Sequence, residues 1–147
     1  MLTIRDIREE DRESFFRMEK EFYGGEACMH TVPEENFEAT LQECLRSQDY
    51  SRVLMLEDES GIVGFLVLAF TFSNEAGGKV VWLEELYFDE KARGKGYGRE
   101  VFAWVEETYK DARRFRLEAT NANKRAIALY ERLGYEELDY YQMIKDR

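Results

Sequence analysis

Between residues 79 and 120 the chain changes its hydrophobic period twice, and the order of those changes restricts the fold more than any other feature. KVVWLEELYF (79–88) has the β-branched, aromatic and partly alternating character of a strand. Three glycines follow within Arg93–Gly98, after which Val101, Phe102, Val105 and Tyr109 share one side of a helix. RFRLEAT (114–120) reads as a strand again. Strand, glycine loop, helix and strand in that order describe a parallel crossover.

The segments before it predict different pairing. Residues 52–57 and 62–72 are apolar strands joined by EDESG, and SNEAGG leads from the second into 79–88. Links this short make an antiparallel meander. LTIR (2–5) is a further half-buried strand. A helix is expected over about 8–23, with Phe15, Phe16, Met18, Glu19 and Phe22 on its buried stripe and Gly24-Gly25 ending it. A second helix is expected within 31–47, where Thr31 and Glu34 have capping-box spacing and Pro33 falls in the first turn. Phe37, Leu41, Cys44 and Leu45 form its apolar face. A third covers about 123–133, and DYYQMIK (139–145) is expected as a last strand. The result is an α/β chain with a mixed α+β sheet, an antiparallel meander joined to one parallel βαβ unit. With 147 residues, 44% of them apolar, and one proline, it reads as a single domain over 1–147.

Composition removes several functional classes. A net charge of −10 disfavours a nucleic-acid partner, whose phosphates want a basic face, and suits a cationic one. No apolar run approaches the roughly 18 residues that a membrane span needs, and the charged start MLTIRDIREEDRE does not resemble an export signal. Cys28 and Cys44 read as ordinary thiols of a reducing cytoplasm. His30 is the only histidine, which argues against a histidine metal site or a histidine-activated nucleophile.

The loop Arg93-Gly94-Lys95-Gly96-Tyr97-Gly98 is built to hold a phosphate. Glycines let backbone N–H groups approach a pyrophosphate, the following helix adds its positive end, and Arg93 and Lys95 add charge on an otherwise acidic chain. The spacing is G-x-G-x-G, neither the Walker pattern nor the dinucleotide fingerprint.

R-G-K-G-Y-G after W-L-E-E-L-Y-F resembles the Q/R-x-x-G-x-G/A motif of the GNAT superfamily of N-acetyltransferases, small-molecule type, with Arg93, Gly96 and Gly98 at its fixed positions. The downstream segment N-K-R-A-I-A-L-Y-E-R-L-G-Y (123–135) is similar to that family's N-x-x-A-x-x-x-Y-x-x-x-G-F/Y motif. Together with the strand before them these matches cover 79–135. The resemblance implies a splayed, V-shaped gap between the two parallel strands, with acetyl-CoA lying in it and no metal. Backbone amides of Gly94, Gly96, Gly98 and Arg99, in the loop that also contains Arg93, Lys95 and Tyr97, would hold the pyrophosphate. Leu86, Tyr87 and Phe88 would present backbone groups to the pantetheine arm and thioester carbonyl, and Asn123 and Ala126 would meet the cofactor arm. Tyr130 would sit near the sulfur as general acid.

Acetyl transfer to an amine also needs a group to take the ammonium proton. Glu84 and Glu85 are the candidates, Glu84 being the one the family resemblance favours, and alternation sets them on opposite faces unless the strand bulges. His30, Phe70, Phe72, Ser73 and Glu75 are further candidates for the acceptor side. Tyr140, Tyr141 and Met143 either complete the core or support a homodimer. The expected reaction is direct attack of a primary amine, carried on a cationic small molecule, on acetyl-CoA. A peptide N-terminus, a lysine side chain, or a non-catalytic acyl-CoA-binding module remain the alternatives.

Overall fold

The computed structural model describes residues 1–25, 28 and 30–147. Five strands form one sheet in the order β1-β2-β3-β4-β5: β1 Thr3–Asp6, β2 Ser51–Asp58, β3 Gly61–Ser73, β4 Gly78–Phe88 and β5 Arg114–Leu117. The first four pair antiparallel, and β4 pairs with β5 in parallel. The helices are α1 Arg12–Tyr23, α2 Glu34–Arg46, α3 Tyr97–Thr108 and α4 Lys124–Arg132. This is the mixed sheet expected from the pattern.

Both faces of the sheet are covered, which is why the central strands are continuous apolar runs. In β2, Val53 and Met55 point one way, with Phe65, Val67 and Tyr87, into a core with Phe15, Met18, Phe37 and Leu41 of α1 and α2. Leu54 and Leu56 point the other way and meet Val101, Phe102, Val105 and Tyr109 of α3. The crossover helix therefore lies on the face opposite α1 and α2. Arg5 of β1 ties the first elements together, donating to both oxygens of Asp11 (2.8 and 2.9 Å) and to Glu57 of β2 (2.8 Å). Asp11 is buried, and the Arg5 hydrogen bond helps hold its carboxyl below the usual range against desolvation.

Four expectations fail. Residues 139–145 form no strand, and Tyr141, Met143 and Ile144 are exposed, so these side chains do not complete the core. The edge strand β5 offers only four residues as a template, too few ladder bonds to offset the entropy of ordering the tail. Thr31 caps nothing: Pro33 is itself the N-cap residue of α2, in extended conformation, and its carbonyl accepts from Asn36 N at 2.9 Å. Leu45 lies on the solvent edge of the α2 stripe rather than in the core. The first helix starts at Arg12, preceded by a 3₁₀ turn over Glu9–Asp11 that Arg5 holds in place through Asp11.

Gly64 of β3 sits opposite Phe88, where β4 ends. A Cβ there would lie 2.2 Å from the Tyr87 carbonyl oxygen, so the strands need glycine to reach this spacing. Gly64→Ala should cost about 1–3 kcal/mol in urea unfolding; an unchanged midpoint would show that β4 can move aside freely.

Candidate active site

β4 and β5 pair only from Val80–Leu83 against Arg114–Leu117. Beyond Leu83, β4 runs on along β3 to Phe88 while β5 has ended. The two parallel strands therefore part, and among the described residues no strand lies on the outer side of the β4 backbone from Glu84 to Phe88. This is the expected V-shaped gap.

The gap opens at a bulge. Val67 pairs with Glu85 and Leu68 with Leu83, leaving Glu84 as the extra residue on β4. Before the bulge Val81 and Leu83 pack toward α3; after it Leu86 and Phe88 do. The alternation has slipped by one, so Glu84 and Glu85 emerge together on the side that faces α1. Simple alternation had separated them; the bulge does the opposite.

At the mouth of the gap the chain turns through Arg93–Gly98 into α3. Gly94 and Gly96 have φ of +75° and +83°, and a Cβ at either would meet nothing within 4 Å. The backbone is thus open to an approaching group on both. The amides of Tyr97, Gly98 and Arg99 begin α3 and have no preceding turn to bond to, whereas Glu100 N reaches Gly96 O at 3.4 Å. Side chains hold the loop from behind. Tyr97 is buried and its hydroxyl donates to Asp58 at 2.9 Å, so only its backbone faces outward. Arg93 Nε donates to Phe88 O at 2.9 Å while its guanidinium lies over the Tyr87 ring, and Lys95 Nζ lies over Tyr97. These groups suit a pyrophosphate: free amides, a helix N-terminus and two cations.

α4 borders the same region. Asn123 is its N-cap and accepts from Ala126 N at 3.4 Å, so its side chain shapes the helix start. Tyr130 packs on Phe102 and Tyr135, with ring centroids at 5.7 and 6.3 Å. Burial raises the pKa of its phenol, and its hydroxyl donates to no described residue. Such a group keeps its proton until a developing anion draws it. The side chains of Leu86, Tyr87 and Phe88 are packed inward, which leaves their backbone as what they can offer to a ligand.

The α1 side of the gap holds a feature that sequence reading missed. Glu19, assigned to the apolar stripe of α1, is 2% exposed and lies against Glu85, which is 8% exposed. The Tyr23 hydroxyl donates to Glu85 Oε2. Among the described residues no lysine or arginine is paired with Glu19, Glu84 or Glu85. Desolvation first, then the contact with Glu85, lifts the Glu19 pKa far above the carboxylate range, so Glu19 carries the proton of the pair. Glu84 is solvent-exposed, yet enough protein surrounds its carboxyl for desolvation, with Glu85 and Glu118, to raise its pKa as well. Burial, then the charge of the Glu85 and Glu19 pair, push the Cys28 thiol up to about 11, which makes it a poor nucleophile. The available signal was the ionisable residue itself, a glutamate at a position whose helical neighbours are all core.

The other expected acceptor residues lie elsewhere. Phe70 packs on Tyr109 at 5.3 Å, on the α3 face, away from Glu85. Phe72 is 80% exposed, Ser73 Oγ accepts from Ala76 N within the β3–β4 turn, and Glu75 accepts from Arg114 and Tyr140. His30 is exposed, and the residues before it include some outside the described set.

Residues 4–135 match the model of the acetyltransferase (GNAT) family. The chain belongs to the GNAT acetyltransferase family. Members use acetyl-CoA, and the chain is an acetyl-CoA-dependent N-acetyltransferase. Over 150 aligned residues it is 30% identical to the mouse thialysine N-epsilon-acetyltransferase, covering 92% of this chain and 84% of that one. It is 30% identical over 100 residues to the spermine/spermidine N(1)-acetyltransferase of Bacillus subtilis, covering 62% and 65%. An aminoglycoside N-acetyltransferase solved with CoA shares the fold, with a TM-score of 0.79 at 20% identity over 100% of this chain and 95% of that one.

The GNAT sheet thus carries a proton inside its α1 core, with a consequence for stability. Below the pKa of an unfolded glutamate, Glu19 is protonated in both states; above it, only the folded state keeps the proton. Stability from this raised pKa is full at low pH and falls as pH rises toward the folded value. Relative to Glu19→Gln, the parent should lose at least about 1.4 kcal/mol between pH 5 and pH 8 in urea unfolding. Parallel profiles would mean that Glu19 is ionised when folded.

Proposed function

We propose that this enzyme acetylates a primary amine on a cationic small molecule, by direct attack within a ternary complex. The observation that carries the acceptor class is a cluster of three carboxyls, Glu19, Glu84 and Glu85, that no described lysine or arginine pairs, beside the point where β4 and β5 part. The names of the thialysine and spermine/spermidine relatives agree with that choice.

Each residue then has a task. The amides of Gly94, Gly96, Gly98 and Arg99, with Arg93 and Lys95, hold the CoA pyrophosphate. Asn123 and Ala126 set the start of α4 against the cofactor arm. A backbone amide among Leu86, Tyr87 and Phe88 stabilises the oxyanion on the thioester carbonyl. Glu84 accepts the ammonium proton: it is open to solvent and its raised pKa makes it a stronger base than an ordinary glutamate. Glu85, hydrogen-bonded by Tyr23, attracts the cation instead. The freed amine attacks the carbonyl carbon, the C–S bond breaks, and Tyr130 gives its proton to the leaving thiolate. The second amine proton, lost as the amide forms, restores the phenol. No acyl-cysteine is needed, consistent with the high pKa of Cys28.

We further propose a cytosolic setting, which suits the free thiols Cys28 and Cys44, and a homodimer contact through the exposed Tyr141 and Met143. Sedimentation of Tyr141→Ser/Met143→Ser beside the parent checks the latter; equal mass for both leaves the tail without that role.

Saturating acetyl-CoA at about 100 times its Kd should add about 2.7 kcal/mol to stability, while ATP and NAD should add nothing; no shift with acetyl-CoA removes the reading. In a screen of amines for CoA thiol release, Tyr130→Phe should lower kcat about 10²–10⁴-fold with acetyl-CoA affinity nearly unchanged. Activity of the parent needs Glu84 ionised, so kcat/KM should fall as pH drops through its raised pKa, and Glu84→Gln should abolish that limb. If Glu85→Gln abolishes it instead, the two roles exchange.

A further inference from the structure

Glu19 and Tyr23 are four residues apart on α1, one turn on the same face, and both reach Glu85 across the boundary between helix and sheet. We propose that Glu19 is a positioning residue for the acceptor amine, donating a hydrogen bond from its own carboxyl to Glu85 and so holding the Glu85 carboxylate toward the gap. This rests on the reading above, in which the β4 carboxylates meet a cationic acceptor.

Hydrogen-bond accounting supports the donor role. Among the described residues, Glu19 Oε1 and Glu85 Oε1 are buried with no partner, while Glu85 Oε2 is taken by Tyr23. Were both carboxyls ionised, two buried anions would touch with only acceptors between them and no described cation to offset them. One shared proton removes the repulsion and supplies the missing donor. The surroundings keep that proton on the helix side: Phe15, Met18, Phe22 and Phe37 are apolar, and the Cys28 thiol and Tyr23 phenol remain neutral. The pair therefore carries a single negative charge, on Glu85. Donors from two helical residues restrict a side chain that otherwise has three free torsions, so Glu85 loses little entropy when it meets an ammonium group. Glu19 itself is too deeply buried to touch the acceptor and works only through Glu85.

Two measurements test this. Infrared spectra of the parent at pH 8 should contain a carboxylic-acid carbonyl band that Glu19→Gln lacks; its absence in the parent overturns the proposal. Steady-state kinetics then use spermidine, or the best amine of the screen, as acceptor. Gln can still donate, so Glu19→Gln should keep the acceptor KM within about threefold, whereas Glu19→Leu should raise it about tenfold or more with the acetyl-CoA KM unchanged, a factor of ten being about 1.4 kcal/mol. Glu19→Met serves if the leucine variant does not fold. Equal acceptor KM for the leucine variant and the parent, or a parallel rise in both KM values, defeats the positioning role. Glu85→Gln separates the two levels: if it raises the acceptor KM while Glu19→Leu does not, only Glu19 loses its role. If Glu85→Gln has no effect, the cationic-acceptor reading falls and takes this inference with it.

Discussion

The parting of β4 from β5 after Leu83 is the constraint on which the rest depends. A parallel pair that zipped fully would consume the outer edge of β4 in sheet hydrogen bonds and leave no room for a ligand between the strands. Pairing that stops after four residues leaves peptide groups exposed along Glu84–Phe88. The bulge at Glu84 coincides with this point, and its added twist helps turn β4 away from its neighbour. A single extra residue thereby opens the gap, shifts the alternation and sets two carboxyls on one side of it.

Charge is divided along the same strand. At the C-terminal end of β4 the chain concentrates Arg93, Lys95 and the start of α3, against an overall charge of −10. Eight to eleven residues before those two cations it concentrates Glu84 and Glu85, with Glu19 behind them. The anionic donor and the proposed cationic acceptor would thus approach a common gap from ends of opposite sign. The cations at the loop are not free to collapse onto the carboxyls, because Arg93 is held by Phe88 O and the Tyr87 ring, and Lys95 by Tyr97.

Elements whose pattern extends over several turns or rungs were legible in the sequence. The meander, the crossover through α3 and the glycine loop follow from periodicity and from glycine at the turn positions, and Val101, Phe102, Val105 and Tyr109 are buried as their spacing requires. What escaped reading depends on partners remote in sequence. DYYQMIK has the composition of a strand but no edge long enough to receive it. Thr31 and Glu34 have the spacing of a capping box, yet helix α2 starts too late for Thr31 to serve. Glu19 follows helical periodicity as part of an apolar stripe, and only the folded chain reveals Glu85, 66 positions later, as its counterpart. The bulge is the subtlest case: W-L-E-E-L-Y has no glycine or proline to announce it, and the register mismatch with Val67 and Leu68 creates it.

Two adjacent glutamates can take different roles only if their surroundings differ, and here the bulge supplies the difference. Glu85 turns under α1, where Tyr23 and the neutral Glu19 carboxyl give it donors and the core shields it from water. Glu84 remains at the opening, without a donor among the described residues, partly desolvated and under the repulsion of Glu85 and Glu118. Stabilising the charge on one carboxylate makes the other harder to ionise, since each sees its neighbour's field. In the proposed reaction an acceptor ammonium entering between them relieves that repulsion, while proton transfer to Glu84 removes one of the two charges. On that proposal, the electrostatic tension that would draw a cation to this side also favours the step that turns the ammonium into a nucleophile.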